Sequence, residues 1–300
     1  SNTCLGPDVV IPPGDDMGMV NVAGSTVLIG VDQLVDGSHV LSENTPLESI
    51  GRKAITRSLS DVAGMAARPL ASLAAVTLPP DFGEDAANAL FDAMRETAAR
   101  YHAPLIGGDI AFHNETGQRF VCSVTVLAQP GRHEPVRRCG AQVGDTVYVT
   151  GKLGANMDSA GGGRHLTFAP RIDAALALAD QLGDRLHAMI DISDGLGRDA
   201  SHIAEQSHVQ LVLQADRIPC RDQTPWRDAI SQGEDYELCF AAVGDVPDSV
   251  EASDGLLEIT PVGRVEQCRS DADRVIVQDH GTTIPADSLG WEHHTSERSR

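Results

Sequence analysis

Apolar residues follow two different spacings along this chain. Continuous apolar runs bounded by Gly, Pro or polar turn residues predict buried strands. These runs occupy residues 26–31, 71–78, 104–106, 120–128, 146–150, 188–192, 209–214, 236–243, 262–265 and 274–278. The predicted helices are 47–67, 85–101, 171–182 and 196–206, and in 85–101 apolar residues recur at i, i+3, i+4 and i+7. Strands and helices alternate, so the predicted fold class is α/β or α+β.

A turn-rich connector interrupts this alternation near the middle of the chain. It reads Gln129-Pro130-Gly131-Arg132-His133-Glu134-Pro135 and separates two halves of similar rhythm. A chain of 300 residues is long enough for two domains. We therefore expect an N-terminal mixed α/β domain in residues 1–131 and a C-terminal α/β domain in residues 132–300.

Composition and charge exclude several classes of function. The formal net charge of -20 argues against nucleic-acid binding, which needs a basic surface, although this charge can equally serve solubility. No apolar run approaches the roughly 20 residues of a membrane helix. The six cysteines form no Cys-x-x-Cys pair, so we expect reduced thiols, no zinc site and a cytoplasmic location. The sequence contains no P-loop.

Acidic residues lie beside turn residues at several points, often after a predicted strand. The clusters are Gly14-Asp15-Asp16, Asp32, Ser60-Asp61, Gly107-Gly108-Asp109, Asp191-Ile192-Ser193-Asp194-Gly195 and Gly233-Glu234-Asp235. Converging carboxylates repel one another unless cations neutralise them. Hard oxygen ligands with few His or Cys residues favour Mg²⁺, which usually comes with substrate phosphates. The sequence therefore suggests an enzyme that acts on a Mg²⁺-nucleotide.

Each cluster also has a simpler structural interpretation. Ser193 or Asp194 would cap the helix that follows, and the Gly-containing clusters suit ordinary tight turns. Asp61 has apolar neighbours, so we expect it at the edge of a buried helix face. Glu237 alternates with apolar residues, so we expect it on the surface of its strand.

The order of the clusters is more specific than any one of them. Three segments carry most of the signal: Lys53-Ala54-x-x-x-Ser58-Leu59-Ser60-Asp61-Val62-Ala63-x-Met65, Asp191-Ile192-Ser193-Asp194-Gly195-Leu196 and Gly233-Glu234-Asp235-Tyr236-Glu237-Leu238. In this order the chain resembles the thiamine-monophosphate kinase family, within the superfamily of aminoimidazole-ribonucleotide synthetase, from about residue 13 to residue 291. The resemblance implies ATP-dependent, in-line phosphorylation of thiamine monophosphate to thiamine diphosphate, in a homodimer paired through the N-terminal domains.

The resemblance also implies roles for individual residues. The implied Mg²⁺ ligands are Asp16, Asp32, Asp61, Asp109, Asp191 and Asp194. The implied nucleotide contacts are Gly108, Asp109, Arg138 and Ser193, and the implied substrate contacts are His39, Glu234 and Trp291. Asp109, Asp194 and Arg138 are the expected catalytic residues. No strong general base is needed, because the attacking phosphate oxygen is already ionised.

The chain departs from the family pattern at several positions. Gly30-Val31 replaces a Ser-Thr pair before Asp32, Ile110 replaces Thr, and Gln232 replaces Gly. The helix that usually precedes Gly14 is missing or trimmed. Two alternatives stay open: a related ATP-dependent synthetase, and a weakly active homologue that binds nucleotide or thiamine phosphate.

Overall fold

The structure, a computed structural model, describes residues 6–268 and 273–291. The N-terminal half contains β1 (Val9–Ile11), β2 (Gly18–Val22), β3 (Ser25–Val35), α1 (Leu47–Gly64), β4 (Ala67–Leu78), α2 (Glu84–Arg100), β5 (Leu105–Phe112) and β6 (Val121–Pro130). The C-terminal half contains β7 (Thr146–Thr150), α3 (Ile172–Leu182), β8 (Leu186–Asp191), α4 (Leu196–Ser207), β9 (Val209–Gln214), α5 (Trp226–Ala229), β10 (Leu238–Ala242), β11 (Ser249–Ala252), β12 (Gly255–Gln267), β13 (Val275–Asp279) and β14 (Thr282–Pro285). Short 3-10 turns occupy Arg164–Leu166, Gly183–Arg185 and Ala215–Arg217.

The first sheet has the strand order β1-β2-β3-β6-β4-β5, and its strands are antiparallel except for the β4–β5 pair. Helix α1 packs on one face of this sheet, and α2 packs against α1. Along β3, Leu28 and Leu34 are buried on the α1 side, whereas Ile29 and Val31 are exposed on the opposite face. Because side chains of a strand alternate between the two faces of the sheet, one face of this sheet is covered by α1 and the other is open and apolar.

The second sheet has the order β14-β13-β9-β12-β7-β10-β8, and β11 pairs with β12. One face of it carries Met189 and Phe240, which belong to the same apolar core as Ile50 and Leu59 of α1. The other face carries Ile190 and packs with α4 in a separate core. Helix α1 also contacts α3 and β8, so it lies between the two sheets. Side chains on α1 can therefore contact residues of both halves.

The predicted fold class is confirmed, since two mixed sheets are packed with helices. One strand end was predicted wrongly: the strand at 104–106 does not stop at Gly107-Gly108-Asp109. Strand β5 continues to Phe112 because those residues pair in parallel with β4. A β-carbon added at Gly108 would overlap the Ala74 carbonyl oxygen, so glycine permits the close approach of the two strands.

The short strands β1, β2, β11 and β14 lacked a sequence signal, because each is stabilised by a neighbouring strand rather than by its own pattern. No helix within the described ranges is long and apolar enough to span a membrane.

Candidate active site

Three aspartates meet where the two halves face each other. Asp16 lies between β1 and β2, Asp61 lies in α1, and Asp191 ends β8. Each offers one carboxylate oxygen, and these oxygens lie within 4.8 Å of one another. Asp16 Oδ2 and Asp191 Oδ2 are buried and accept no hydrogen bond from any described residue. Buried carboxylate oxygens without partners are costly, so the arrangement suits a bound cation.

The pKa values of these carboxyl groups reflect burial and mutual repulsion. Burial, and then neighbouring carboxylates, raise the pKa of Asp16 to about 8, although the Arg138 guanidinium opposes the rise. Burial raises the pKa of Asp191 to about 6. Burial and nearby negative charges also raise the pKa of Asp61 well above its ordinary value. Without a cation, the cluster therefore retains protons that a divalent metal ion would displace.

Two arginines compensate part of this charge. Arg138 donates from Nε to Asp16 Oδ1 at 3.0 Å. Arg57 donates from Nε to Asp32 Oδ2 at 2.6 Å. The Asp32 carboxylate is close enough for its charge to raise the pKa of Asp191, so Asp32 borders the cluster while paired with an arginine.

Two glycines lie against the carboxylates, and one of them, Gly64, leaves the space that the Asp16 carboxylate occupies. A β-carbon added at Gly64 would overlap Asp16 Oδ2 and would lie 3.1 Å from the Asp191 backbone nitrogen. On β3, a β-carbon at Gly30 would lie 3.5 Å from Asp61 Oδ2. Sequence reasoning assigned no role to Gly64, and its only signal was a glycine in the last turn of a predicted helix.

One buried carboxylate holds the loop between β8 and α4. Asp199, in the first turn of α4, accepts hydrogen bonds from the backbone nitrogens of Ser193, Asp194 and Gly195 at 3.0, 3.0 and 3.1 Å. The expectation that Ser193 or Asp194 caps this helix is wrong, because Gly195 occupies the N-cap position without a side-chain cap, and the Gly197 nitrogen in the first turn donates to the Ile230 carbonyl oxygen instead. Ser193 and Asp194 line an adjoining cavity instead.

This cavity has a volume of about 460 Å³ and walls from both halves. The lining residues are Ser38, His39, Arg57, Asn156, Met157, Asp158, Ser159, Ser193, Asp194, Gln232, Gly233, Glu234, Tyr236 and Trp291. The predicted substrate contacts His39, Glu234 and Trp291 are therefore brought together. Trp291 is 52% exposed, and its backbone nitrogen donates to the Asp194 carbonyl oxygen at 2.9 Å.

Glu234 and His39 are among the groups of the cavity wall that have strongly shifted pKa values. Burial would raise the pKa of Glu234, but its contact with His165 and the positive charges of Lys53 and Arg57 outweigh burial and lower the pKa to about 2. Burial lowers the pKa of His39 to about 4, and the Arg57 charge adds to this effect. At neutral pH the wall therefore presents the Glu234 carboxylate and the neutral His39 imidazole, beside the Arg57 guanidinium, which is paired with Asp32.

Comparison with known proteins decides the family. The model of the AIR synthase related protein, N-terminal domain, matches residues 14–129, and that of the C-terminal domain matches residues 142–279. A thiamine-monophosphate kinase of Rhodopirellula baltica is 30% identical over 277 residues, which cover 86% of this chain and 84% of the relative. The chain belongs to the thiamine-monophosphate kinase family.

Solved structures of thiamine-monophosphate kinases share the fold. AaThiL complexed with AMPPCP and TMP matches with a TM-score of 0.77 at 26% identity, covering 94% of this chain and 91% of that chain. The enzyme of Stenotrophomonas maltophilia K279a matches with a TM-score of 0.72 at 30% identity, covering 92% and 93%. The resemblance predicted from the order of the clusters is confirmed.

The departures from the thiamine-monophosphate kinase pattern lie in different surroundings. Gly30 faces Asp61, so the serine hydroxyl of the family pattern is missing beside the carboxylate cluster. Val31 is 65% exposed on the opposite face of the first sheet. Gln232 lines the cavity, and its Oε1 accepts a hydrogen bond from the Ala155 nitrogen at 3.0 Å, which ties two parts of the cavity wall together.

Asp109 is separated from the three clustered aspartates within this chain. It lies on β5 in register with Ala75, whose side chain is exposed on the face that α1 does not cover. The neighbouring Ile110 pairs with Val76 and is 50% exposed. The charges of Asp32 and Asp194 both raise the pKa of Asp191, so these two residues border the cluster. Asp109 lies on the other face of the first sheet, and its role as a ligand stays a prediction.

Two buried charged residues were misjudged or given no role. Glu237 is buried, not on a strand surface: Arg171 donates from Nε to its Oε2 at 2.9 Å, Thr150 Oγ1 donates to the same oxygen at 2.9 Å, and Arg164 pairs with Oε1. Lys53 is also fully buried. Its only signal in the sequence was its place at the start of the segment 53–65, which carries part of the family resemblance.

Proposed function

We propose that this chain transfers the terminal phosphoryl group of ATP to thiamine monophosphate, giving thiamine diphosphate and ADP. The observation that carries the proposal is the adjacency of two features. One is the cluster of Asp16, Asp61 and Asp191, and the other is the cavity whose walls include Glu234 and Trp291. Membership of the thiamine-monophosphate kinase family, and the likeness to a relative solved with AMPPCP and TMP, support it.

The carboxylate cluster fits magnesium. It supplies hard oxygen donors without His or Cys, and two of its buried oxygens have no partner among the described residues. Asp16, Asp61 and Asp191 would hold the ion, with Asp32 and Asp194 as further candidates. When bound, Mg²⁺ supplies positive charge that neutralises the phosphate groups and the transferring phosphoryl group.

The cavity suits a substrate with a positively charged ring. The Glu234 carboxylate stays ionised, and the indole of Trp291 is half-exposed at the wall. A carboxylate and an aromatic face together attract a cation such as the thiazolium ring of thiamine monophosphate. The neutral imidazole of His39 adds a hydrogen-bonding group that does not repel this ring.

The reaction needs alignment and charge neutralisation more than proton transfer. A phosphate oxygen of thiamine monophosphate bonds to the terminal phosphorus of ATP while the bond from that phosphorus to the ADP oxygen breaks, which we propose occurs in line. Arg138 keeps a guanidinium beside the cluster, and Ser193 and Asp194 lie in the cavity wall. Gly108 and Asp109 stay proposed nucleotide contacts on β5.

We also propose that two copies pair through the first sheet. Ile29, Val31 and Leu73 are 41%, 65% and 36% exposed on the face that α1 leaves open. An apolar sheet face of this kind usually packs against another layer, and a second copy supplies one.

We further propose that the boundary between the two domains lies between residues 131 and 132. Free cysteines such as Cys122 and Cys239 agree with the proposed cytoplasmic location.

Incubation of the purified protein with Mg²⁺, ATP and thiamine monophosphate tests the proposal, with products identified by mass spectrometry. We expect thiamine diphosphate and ADP in equal amounts, and neither product when thiamine replaces thiamine monophosphate. A folded protein that binds ATP but forms no thiamine diphosphate would overturn it and favour the homologue that only binds ligands.

A further inference from the structure

A buried lysine joins the two halves next to residues that line the cavity. Lys53 lies in α1 and has no exposed surface. Its ammonium nitrogen lies 2.5 Å from Glu234 Oε2, 2.7 Å from the His39 carbonyl oxygen and 2.7 Å from His165 Nδ1. The three N–H donors therefore have three acceptors, one from the N-terminal half and two from the C-terminal half.

The contact with Lys53 determines which nitrogen of His165 carries the proton. An ammonium group only donates, so Nδ1 accepts and the hydrogen of the neutral ring lies on Nε2. Nε2 then donates to the Gly161 carbonyl oxygen at 3.2 Å. Gly161 belongs to the segment 156–163, and residues 156–159 of this segment line the cavity. A continuous path of hydrogen bonds thus leads from Lys53 to the segment 156–163, which we call the cavity loop.

Glu234 is held in an unusual backbone conformation beside the same lysine. Its φ is 60°, in the left-handed region that non-glycine residues rarely adopt. Its backbone nitrogen donates to the Ser193 carbonyl oxygen at 2.7 Å, and the Tyr236 hydroxyl donates to its Oε2 at 3.2 Å. Lys53 provides the closest positive charge to this carboxylate, so losing it leaves a largely buried anion without its main partner.

We propose that Lys53 is a positioning residue for the phosphate-acceptor substrate. It holds the Glu234 carboxylate directly, and the cavity loop through His165, in the arrangement that receives the cationic ring. Lys53 itself does not line the cavity, so it acts through these neighbours. The inference rests on the proposed function and deepens it, because it names the residue that shapes the acceptor side of the site.

The variant Lys53→Met removes the ammonium and keeps a side chain of similar length. We expect the KM for thiamine monophosphate to rise about 10- to 100-fold, the value of a lost charged hydrogen bond. The KM for ATP should change less than about twofold, because the nucleotide contacts are unaltered. Equal increases in both KM values would overturn the proposal.

Arg52→Met is the matched control on the same helix. Arg52 Nη2 donates to the carbonyl oxygens of Thr167 and Phe168 at 2.9 and 2.6 Å, so it also links the two halves, but it does not line the cavity. We expect its KM for thiamine monophosphate to stay at the wild-type value. If Arg52→Met and Lys53→Met have the same effect, Lys53 is only a brace between the halves.

A double variant keeps the test decisive if Lys53→Met does not fold. Lys53→Met combined with Glu234→Gln removes both members of the ion pair, so no unpaired buried charge is left. Its KM for thiamine monophosphate should be at least that of Glu234→Gln alone, because the link through His165 is lost as well, and its KM for ATP should stay within about twofold of the wild-type value. Equal increases in both KM values of the double variant would contradict positioning of the acceptor substrate by Lys53 and Glu234.

NMR of the imidazole nitrogens of His165 separates this inference from the proposed function, because it needs neither substrate nor turnover. We expect the Nε2–H tautomer in the wild-type protein and in Lys53→Arg, and a mixture of tautomers in Lys53→Met. If the wild-type protein has no kinase activity, the proposed function is wrong, but this result does not contradict the inference about Lys53. An unchanged His165 signal in Lys53→Met would overturn the inference about Lys53 whatever the activity.

Discussion

Gly64 lies directly against the Asp16 carboxylate, so that a β-carbon at residue 64 would overlap Asp16 Oδ2. Gly64 is the last residue of α1 and has no left-handed backbone that would by itself demand glycine. The absence of a side chain is therefore what matters at this position. The end of α1 defines the space in which Asp16, Asp61 and Asp191 meet.

The variant Gly64→Ala tests this relationship. Alanine favours helix by about 0.5–1 kcal/mol over glycine, so the helix itself should tolerate the change. The added methyl group displaces Asp16 from the cluster, so we expect the Mg²⁺ concentration for half-maximal turnover to rise at least about tenfold. Titration of ADP formation with Mg²⁺ measures it.

Gly18→Ala serves as the control for this change. A β-carbon at Gly18 would make ordinary contacts with the Ile11 and Ile29 carbonyl oxygens at 3.6 and 3.9 Å. Its Mg²⁺ dependence should match the wild type. A normal Mg²⁺ dependence in Gly64→Ala would show that Asp16 does not take part in metal binding.

Removal of one clustered charge should change stability and activity in opposite directions. Asp61→Asn relieves repulsion and burial of charge, so we expect the metal-free protein to melt at a higher temperature. The same change removes a metal ligand, so turnover should fall at least about 100-fold and Mg²⁺ should no longer raise the Tm. Asp85→Asn, at an exposed aspartate of α2, should alter neither quantity. A destabilised Asp61→Asn protein with full activity would contradict the assignment.

The stabilising effect of Mg²⁺ should depend on pH. The pKa values of Asp16 and Asp191 are about 8 and about 6, above their ordinary value of 3.8. A raised pKa means that the folded state binds protons more tightly than the unfolded state. This contribution to stability is present below about pH 4 and is lost as the pH rises through 6 and then 8.

Mg²⁺ replaces those protons, so the rise in Tm that it causes should be larger at pH 8 than at pH 6. Thermal unfolding with and without Mg²⁺ across this range measures the difference. The Asp16→Asn variant should lose most of the pH dependence. An equal Mg²⁺ effect at both pH values would mean that the metal ion does not displace protons from these carboxyl groups.

The open face of the first sheet predicts the effect of a single charge on self-association. Val31→Lys places an ammonium among exposed apolar residues, and the folded monomer should tolerate it because Val31 is 65% exposed in one chain. A charge without a partner in an interface should raise the dissociation constant of the dimer at least about 100-fold. Analytical ultracentrifugation measures this, with Leu256→Lys on the second sheet as the control. Identical association of both variants would place the interface elsewhere.

The sequence predicted those parts of the fold and site that depend on local pattern. Helical spacing of apolar residues located α2, and the apolar neighbours of Asp61 indicated its place beside a buried face. The order of the clusters grouped His39, Glu234 and Trp291, which line one cavity. The first two signals lie within single elements, whereas the grouping of His39, Glu234 and Trp291 was implied by the family resemblance, which spans most of the chain.

Other features depend on contacts between distant parts of the chain. The burial of Glu237 follows from Arg171 and Arg164, which lie 66 and 73 residues away in sequence. The continuation of β5 through Asp109 follows from its parallel pairing with β4. The sequence of a strand does not show which other strand it will pair with. Lys53 has an ordinary helical context, and only the approach of the C-terminal half explains its burial.

Transfer of a labelled phosphoryl group tests the central claim most directly. The protein is incubated with Mg²⁺, thiamine monophosphate and ATP labelled on its terminal phosphate, and the label is followed into each product. We predict that the label enters thiamine diphosphate in an amount equal to the ADP formed. Label found in inorganic phosphate, with no labelled thiamine diphosphate, would contradict the kinase and indicate an ATP-hydrolysing synthetase of the same superfamily.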